Sequence, residues 1–272
     1  MSIALFLGDS HTCGYVTVPG QQGPGTYTMW NNNNYAESYA RQNNKKTVIY
    51  AVPGSCNRVY PDWLRSMLDK YPDIDEVYVL LAYWNRFVLG FNETLSPSVL
   101  PADYFTTHVM NKDNLIDIYQ DVLFKEDRFQ LYNKPTYEDF SSGASVSFNY
   151  QNALVDPDLR KDSFMKVKLF FDLNTHLEQR DFFKDVYTMD NMCHDRNCRL
   201  FFFNMTDRMK FPDSFDFYGK LKATTVAPMS VESYFKSKFI DHKKYYIEDG
   251  EHYNQEYHDL IASRFIPWLK TQ

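Results

Sequence analysis

Ser10 stands in Gly8-Asp9-Ser10-His11-Thr12-Cys13-Gly14, directly after the apolar run Ile3 to Leu7. A serine on the turn that leaves a strand can present its hydroxyl as a nucleophile and its own N–H as a donor. The competing reading is that Asp9 or Ser10 caps a helix. Far along the chain, Asp249-Gly250-Glu251-His252 puts a carboxylate three residues before an imidazole, on a turn that glycine makes sharp. Such a carboxylate can accept the Nδ1 proton and leave Nε2 free as a general base. Gly54, in Pro53-Gly54-Ser55-Cys56, lets the backbone come close to a ligand and offer its N–H, and Asn85, in Ala82-Tyr83-Trp84-Asn85-Arg86, offers an amide NH₂. Alone, each of these segments is also an ordinary turn. Together they describe acyl chemistry at a serine, with a base, an orienting acid and oxyanion donors.

Such residues must be brought together by elements far apart in the chain. Ile3 to Leu7 is continuously apolar and ended by glycine, which predicts a strand buried on both faces, a central one in a parallel sheet. Similar runs at Thr47 to Val52, Val77 to Ala82 and Leu200 to Asn204 alternate with helical spacing over Tyr35 to Gln42, Val59 to Tyr71 and Asp158 to Tyr187. This alternation predicts an α/β fold, an open and mostly parallel sheet of about five strands with helices on both faces. A last strand is expected at Lys244 to Ile247 and a terminal helix over Asn254 to Leu269, its regularity limited by Pro267. Gly20 to Asn34, rich in glycine, proline and asparagine, is expected to be loop throughout. The stretch from Phe87 to Pro157 is polar, aromatic and broken by prolines, too long for a connection, and so an elaborated insertion at about 87–157 in a single 1–272 domain. In such a sheet ligands bind beyond the strand C-terminal ends, and Ser10, Gly54, Asn85 and His252 all follow predicted strands.

These residues, in this order, resemble the SGNH (GDSL-type) hydrolase family. Gly8-Asp9-Ser10-His11-Thr12-Cys13-Gly14 is similar to its block I serine motif, Gly54 to its block II glycine, Asn85 to its block III asparagine, and Asp249-Gly250-Glu251-His252 to its block V acid and base. The usual block III has glycine two residues before the asparagine and often aspartate after it, where this chain has Tyr83 and Arg86. The resemblance implies a three-layer α/β/α sandwich of the flavodoxin-like type. It also implies hydrolysis of O-acyl esters, commonly O-acetyl groups on a carbohydrate or lipid, without metal or organic cofactor. In that reading Ser10, His252 and Asp249 form the triad, Ser10, Gly54 and Asn85 line the oxyanion hole, and Asp9, His11, Tyr83, Trp84 and Arg86 contact substrate. The same triad would serve an O-acyltransferase, and the same fold without catalysis would serve as a glycan-binding module.

Composition narrows the partners. With 29 basic and 35 acidic side chains and a formal charge of −6, the chain has no long basic block to neutralise phosphates, so nucleic acid is not an expected partner. No apolar run approaches the roughly 18 residues of a membrane span, and Ile3 to Leu7 is too short, and lacks the basic lead, for a signal core. The expectation is a soluble, cytoplasmic protein, no membrane partner, and a small-molecule or glycan ester as substrate; oligomeric state is not legible. Tyr27, Trp30, Tyr83 and Trp84 could stack on sugar rings, although aromatic side chains more often fill cores. Four cysteines are too few for a disulfide scaffold in a chain of 272 residues. Cys13 and Cys56 follow strands expected to be neighbours. Cys193-His194-Asp195-Arg196-Asn197-Cys198 has thiols and an imidazole, but no second cluster completes a zinc site, and a loop is expected there. His11 is expected to diverge from its neighbour Ser10, and His258 to be packed or solvated.

Overall fold

The computed structural model describes residues 2–13, 15–17, 27–29, 34–51, 57–82, 86–90, 105–110, 129–131, 143–148, 181–207, 220–247 and 252–272. The chain begins with β1 (Ile3–Gly8), every residue of it buried, and turns into the short helix α1 (Ser10–Cys13). β2 (Tyr15–Thr17) and β3 (Tyr27–Met29) pair antiparallel. The segment expected to be all loop therefore contains a strand, because Tyr-Thr-Met between the glycine-rich and asparagine-rich stretches has the β preference to pair back on Tyr15–Thr17.

α2 (Tyr35–Asn43) starts at Asn34, whose side chain accepts the Glu37 N–H at 2.8 Å, and ends at Asn44, left-handed at φ 48°. Both asparagines act as caps, for which their short polar side chains suit them. β4 (Lys46–Ala51) leads through a 3₁₀ turn, Asn57–Val59, into α3 (Tyr60–Lys70), and β5 (Ile74–Leu80) follows. The insertion holds β6 (Arg86–Gly90), β7 (Phe105–Met110), β8 (Phe129–Leu131) and β9 (Gly143–Phe148). Three of these form an antiparallel sheet in the order β6-β9-β7, while β8 joins the main sheet beside β4.

Helix α4 (181–195) then precedes β10 (Arg199–Phe203). Residues 158–180 of the long predicted helix lie outside the described residues, and the part seen runs on past Tyr187. It ends where Asn197 is left-handed at φ 54° and the Cys198 N–H bonds Cys193 O at 2.9 Å, so the Cys193–Cys198 segment is a helix end with two buried free thiols. No group of three metal-ligating side chains occurs among the described residues.

β11 (Thr224–Val226) and α5 (Val231–Ser237) come next. The strand expected at Lys244 to Ile247 is not formed. His242–Tyr245 is a 3₁₀ turn capped by the Asp241 side chain on Lys243 N, followed by a single bridge from Tyr246 to Tyr253. A capped turn has taken the backbone donors that a strand would need, and the sheet edge is supplied by β11 instead. The chain ends in α6 (Gln255–Leu260), a π-helical segment Ile261–Phe265, and α7 (Ile266–Leu269) with Pro267 in its first turn. A proline there costs little, since its missing N–H falls among those that a helix start leaves unbonded.

Among the described residues the main sheet is wholly parallel, with six strands in the order β11-β10-β5-β1-β4-β8, where about five were expected. β1 is central: β4 lies on one side of it and β5 on the other, so the strand order reverses there, the position at which parallel sheets form a crevice beyond the strands' C-terminal ends. Register sets the two faces. Phe6 pairs across to Tyr78 and Tyr78 to Phe201, and these three rings stack in a row at 4.7 and 4.9 Å. Tyr35 and Tyr39 of α2 meet Phe6 edge-on at 5.8 and 5.6 Å. The alternate row, Tyr50, Leu7, Val79 and Phe202, meets other helices, with Trp63 of α3 at 4.7 Å from Tyr50 and Phe182 of α4 at 6.0 Å from Phe202. Thus α/β character, a parallel sheet flanked by helices, follows from runs that are apolar at every position. No helix among the described residues is long and apolar enough to cross a membrane.

Candidate functional site

Gly8 ends β1 where no side chain fits: a Cβ built on it would lie 2.8 Å from Thr12 Cβ and 3.2 Å from Leu80 Cβ. That tight closure lets the chain fold over into α1 and leaves Ser10 at the strand tip. Asp9 holds the turn, its Oδ1 accepting the His11 N–H at 3.1 Å and its carbonyl the Thr12 N–H at 3.0 Å. Thr12 Oγ1 is 2.6 Å from the Tyr35 hydroxyl, which ties the turn to α2. The helix-cap role considered for Asp9 is thus present, and it leaves Ser10 to point elsewhere.

Ser10 Oγ lies 2.9 Å from His252 Nε2. Both residues are nearly buried, at 9% and 8% exposure. Two side chains from opposite ends of the sequence therefore share one hydrogen bond at the crevice. The His11 ring lies 4.8 Å from that of His252, tilted by 42°, so His11 packs against the imidazole bonded to Ser10. Gly54, Tyr83, Trp84, Asn85 and Asp249 lie outside the described residues, as do Trp30 and Cys56. Arg86 opens β6, its backbone paired with Ser147. Tyr27 opens β3.

Several groups at the site carry no sequence signal of their own. Asn57 donates to Ala82 O at 3.1 Å and accepts the Ala82 N–H at 2.8 Å, pinning the segment after β4 to the end of β5. Those are the two stretches on which Gly54 and Asn85 border. His258 is buried close to His11 and His252, and its ring stacks on that of Tyr35 at 6.0 Å. Burial, and then the two neighbouring rings, hold it down at about 3. Tyr253 is 1% exposed, and burial, with Glu232 next, pushes its phenol far above the usual range. The His252 turn is closed by backbone bonds, Ile247 N–H to His252 O at 3.0 Å and Asn254 N–H to Tyr245 O at 2.8 Å. An alignment of strand ends could have pointed to Asn57; His258 and Tyr253 become visible only once the last helix is docked. Neither a known family model nor a curated protein matches the chain.

Proposed function

We propose that this protein is a serine esterase of the SGNH type, hydrolysing O-acyl esters, with O-acetyl groups on a carbohydrate or glycoconjugate as the substrate class. The observation that carries the proposal is the 2.9 Å contact between Ser10 Oγ and His252 Nε2. That separation is within the reach a base needs to take the proton of a serine nucleophile. The scaffold supports it too. Omitting β8, the order β4-β1-β5-β10-β11 has the flavodoxin-like pattern 2-1-3-4-5, and the two rows of ring contacts support a three-layer α/β/α arrangement.

In this mechanism Ser10 Oγ attacks the acyl carbon as its proton passes to His252 Nε2. The carbonyl oxygen becomes an oxyanion held by the N–H groups of Ser10 and Gly54 and the amide of Asn85. Collapse of the tetrahedral intermediate breaks the bond to the alcohol, which leaves with the proton from His252. Water, deprotonated by the same ring, then releases the acid and restores Ser10. Asp249 holds the ring's Nδ1 proton throughout.

The test is hydrolysis of a short-chain aryl ester by the purified chain. Ser10→Ala and His252→Ala are expected to abolish turnover while the fold is retained, and Asn85→Ala to lower kcat by about 10²–10³. Undiminished turnover in Ser10→Ala would remove the proposal. Product analysis with added sugar acceptors separates release to water from transfer.

A further inference from the structure

The turn that carries His252 is gripped from outside by a carboxylate the mechanism does not use. Tyr246 and Tyr253 face each other across the bridge that closes this turn, their rings stacked at 4.8 Å and 20°. Both hydroxyls donate to Glu232 Oε1, Tyr246 at 3.2 Å and Tyr253 through a short bond. Tyr257, on the first turns of α6, stacks on the other side of Tyr253 at 4.2 Å. His242 Nε2 stands 4.0 Å from the same carboxylate oxygen.

Glu232 is itself fixed to the sheet. It lies in the first turn of α5, where the Val231 and Glu232 N–H groups bond Asn204 O and Met205 O at 3.0 and 3.1 Å, just past the end of β10. Ser230 caps that turn by accepting the Ser233 N–H. A line of fixed contacts thus runs from the C-terminal end of β10, through Glu232 and two phenols, to the residue adjoining His252. Hydrogen bonds from phenols to a carboxylate are charge-assisted and about twice as strong as neutral ones, so this part-buried pair adds to the backbone bonds that fix Tyr246 against Tyr253.

We propose that Glu232 is a positioning residue for His252, acting through the hydroxyls of Tyr253 and Tyr246. The inference rests on the reading of Ser10 and His252 as nucleophile and base, and adds to it how the base is held. A displacement of about 1 Å in a reacting group can cost about 10²-fold in rate, which sets the scale of the effect.

The experiment compares Glu232→Leu, Glu232→Gln and Tyr253→Phe with the unaltered chain, recording kcat and KM on an aryl ester, the rate at which a fluorophosphonate labels Ser10, and the thermal midpoint. Glu232→Leu is expected to lower kcat and the labelling rate together by up to about 10²-fold with KM unchanged. Glu232→Gln, whose amide oxygen still accepts both phenols, retains most of both rates. Tyr253→Phe removes one O–H and no ring packing, and lies between them. Rates in Tyr253→Phe and Glu232→Leu equal to those of the unaltered chain overturn the inference, as does a loss confined to KM or a Glu232→Gln as impaired as Glu232→Leu. If Glu232→Leu does not fold, the other two variants decide. The absence of both hydrolysis and labelling in the unaltered chain would refute the Ser10–His252 reading itself, and the inference with it.

Discussion

Three imidazoles crowd one corner of this protein, and they differ in what water can reach. His252 bonds Ser10, His11 packs on His252, and His258 is sealed beneath them with its Nδ1 buried and lacking a hydrogen-bond partner. Desolvation disfavours its charged form, and two neighbouring rings add to that. In the unfolded chain the same ring would titrate near 6.5, so between about 6.5 and about 3 the unfolded state binds the extra proton. The contribution to stability is whole above pH 6.5 and is lost as the pH falls toward 3, at about 1.4 kcal/mol per unit. The thermal midpoint should therefore decline from pH 7 to pH 5, and His258→Phe should flatten that decline. A variant as acid-sensitive as the unaltered chain in this range would show that the burial of His258 has no such consequence. In the sequence this histidine is only a residue two turns into a helix. What gives it meaning is the docking of that helix against Tyr35, His11 and His252, and no local pattern encodes that.

At the scale of elements, β1, β4, β5 and β10 were legible because strands covered on both faces must be apolar at every position, a pattern that alternation with helices makes hard to misread. β11 and β8 escaped because three residues are too few for any period to show. The strand expected near Lys244 failed for a different reason: Asp241 caps a turn there, and capping competes locally with pairing. The turns that shape the crevice were legible at Gly8 and not at Asn57, whose partner lies 25 residues further on. Asn57 acts as a clasp between two elements, giving one amide to both backbone groups of Ala82. Asn57→Ala would leave a buried N–H and a buried C=O without partners, costing about 1–3 kcal/mol for each group not reached by water. Denaturant unfolding should show this loss, and kcat should fall further than stability does, because the segments holding Gly54 and Asn85 are released together. Asn57→Asp, which can still accept the Ala82 N–H, should recover part of both. Equal stability in Asn57→Ala and the unaltered chain would mean the clasp closes nothing.

Across the described residues, the Ser10–His252 contact and the Glu76 charge cluster sit at opposite ends of the sheet's strands. Ser10 and His252 lie beyond the C-terminal ends of the strands, whereas Glu76, near the start of β5, collects Lys45 at 2.9 Å, Lys270 at 2.6 Å and the hydroxyls of Tyr39 and Tyr78. Lys270 closes the end of the chain onto this edge, and Arg199 at the start of β10 bonds its carbonyl. Burial alone would raise the Glu76 carboxyl, but hydrogen bonds from Lys270, Tyr39 and Lys45 outweigh it and hold it at about 2. A carboxyl depressed on folding contributes stability that is whole above its ordinary value near 4.5 and disappears as the pH falls toward 2. This window overlaps that of His258 between about 4.5 and about 3, so the two are told apart above pH 4.5, where His258 alone of the two lowers the midpoint, and by the variants. Glu76→Gln should be less stable than the unaltered chain at pH 7, since Lys270 loses this counter-charge and Lys45 is left with Asp75, and should lose less on going from pH 4.5 to pH 3. Because the pairing is remote from the crevice, ester turnover at pH 7 and moderate temperature should be unchanged in that variant. A Glu76→Gln protein whose midpoint follows the same acid curve as the unaltered chain would show that this cluster does not tie the C-terminus to the sheet.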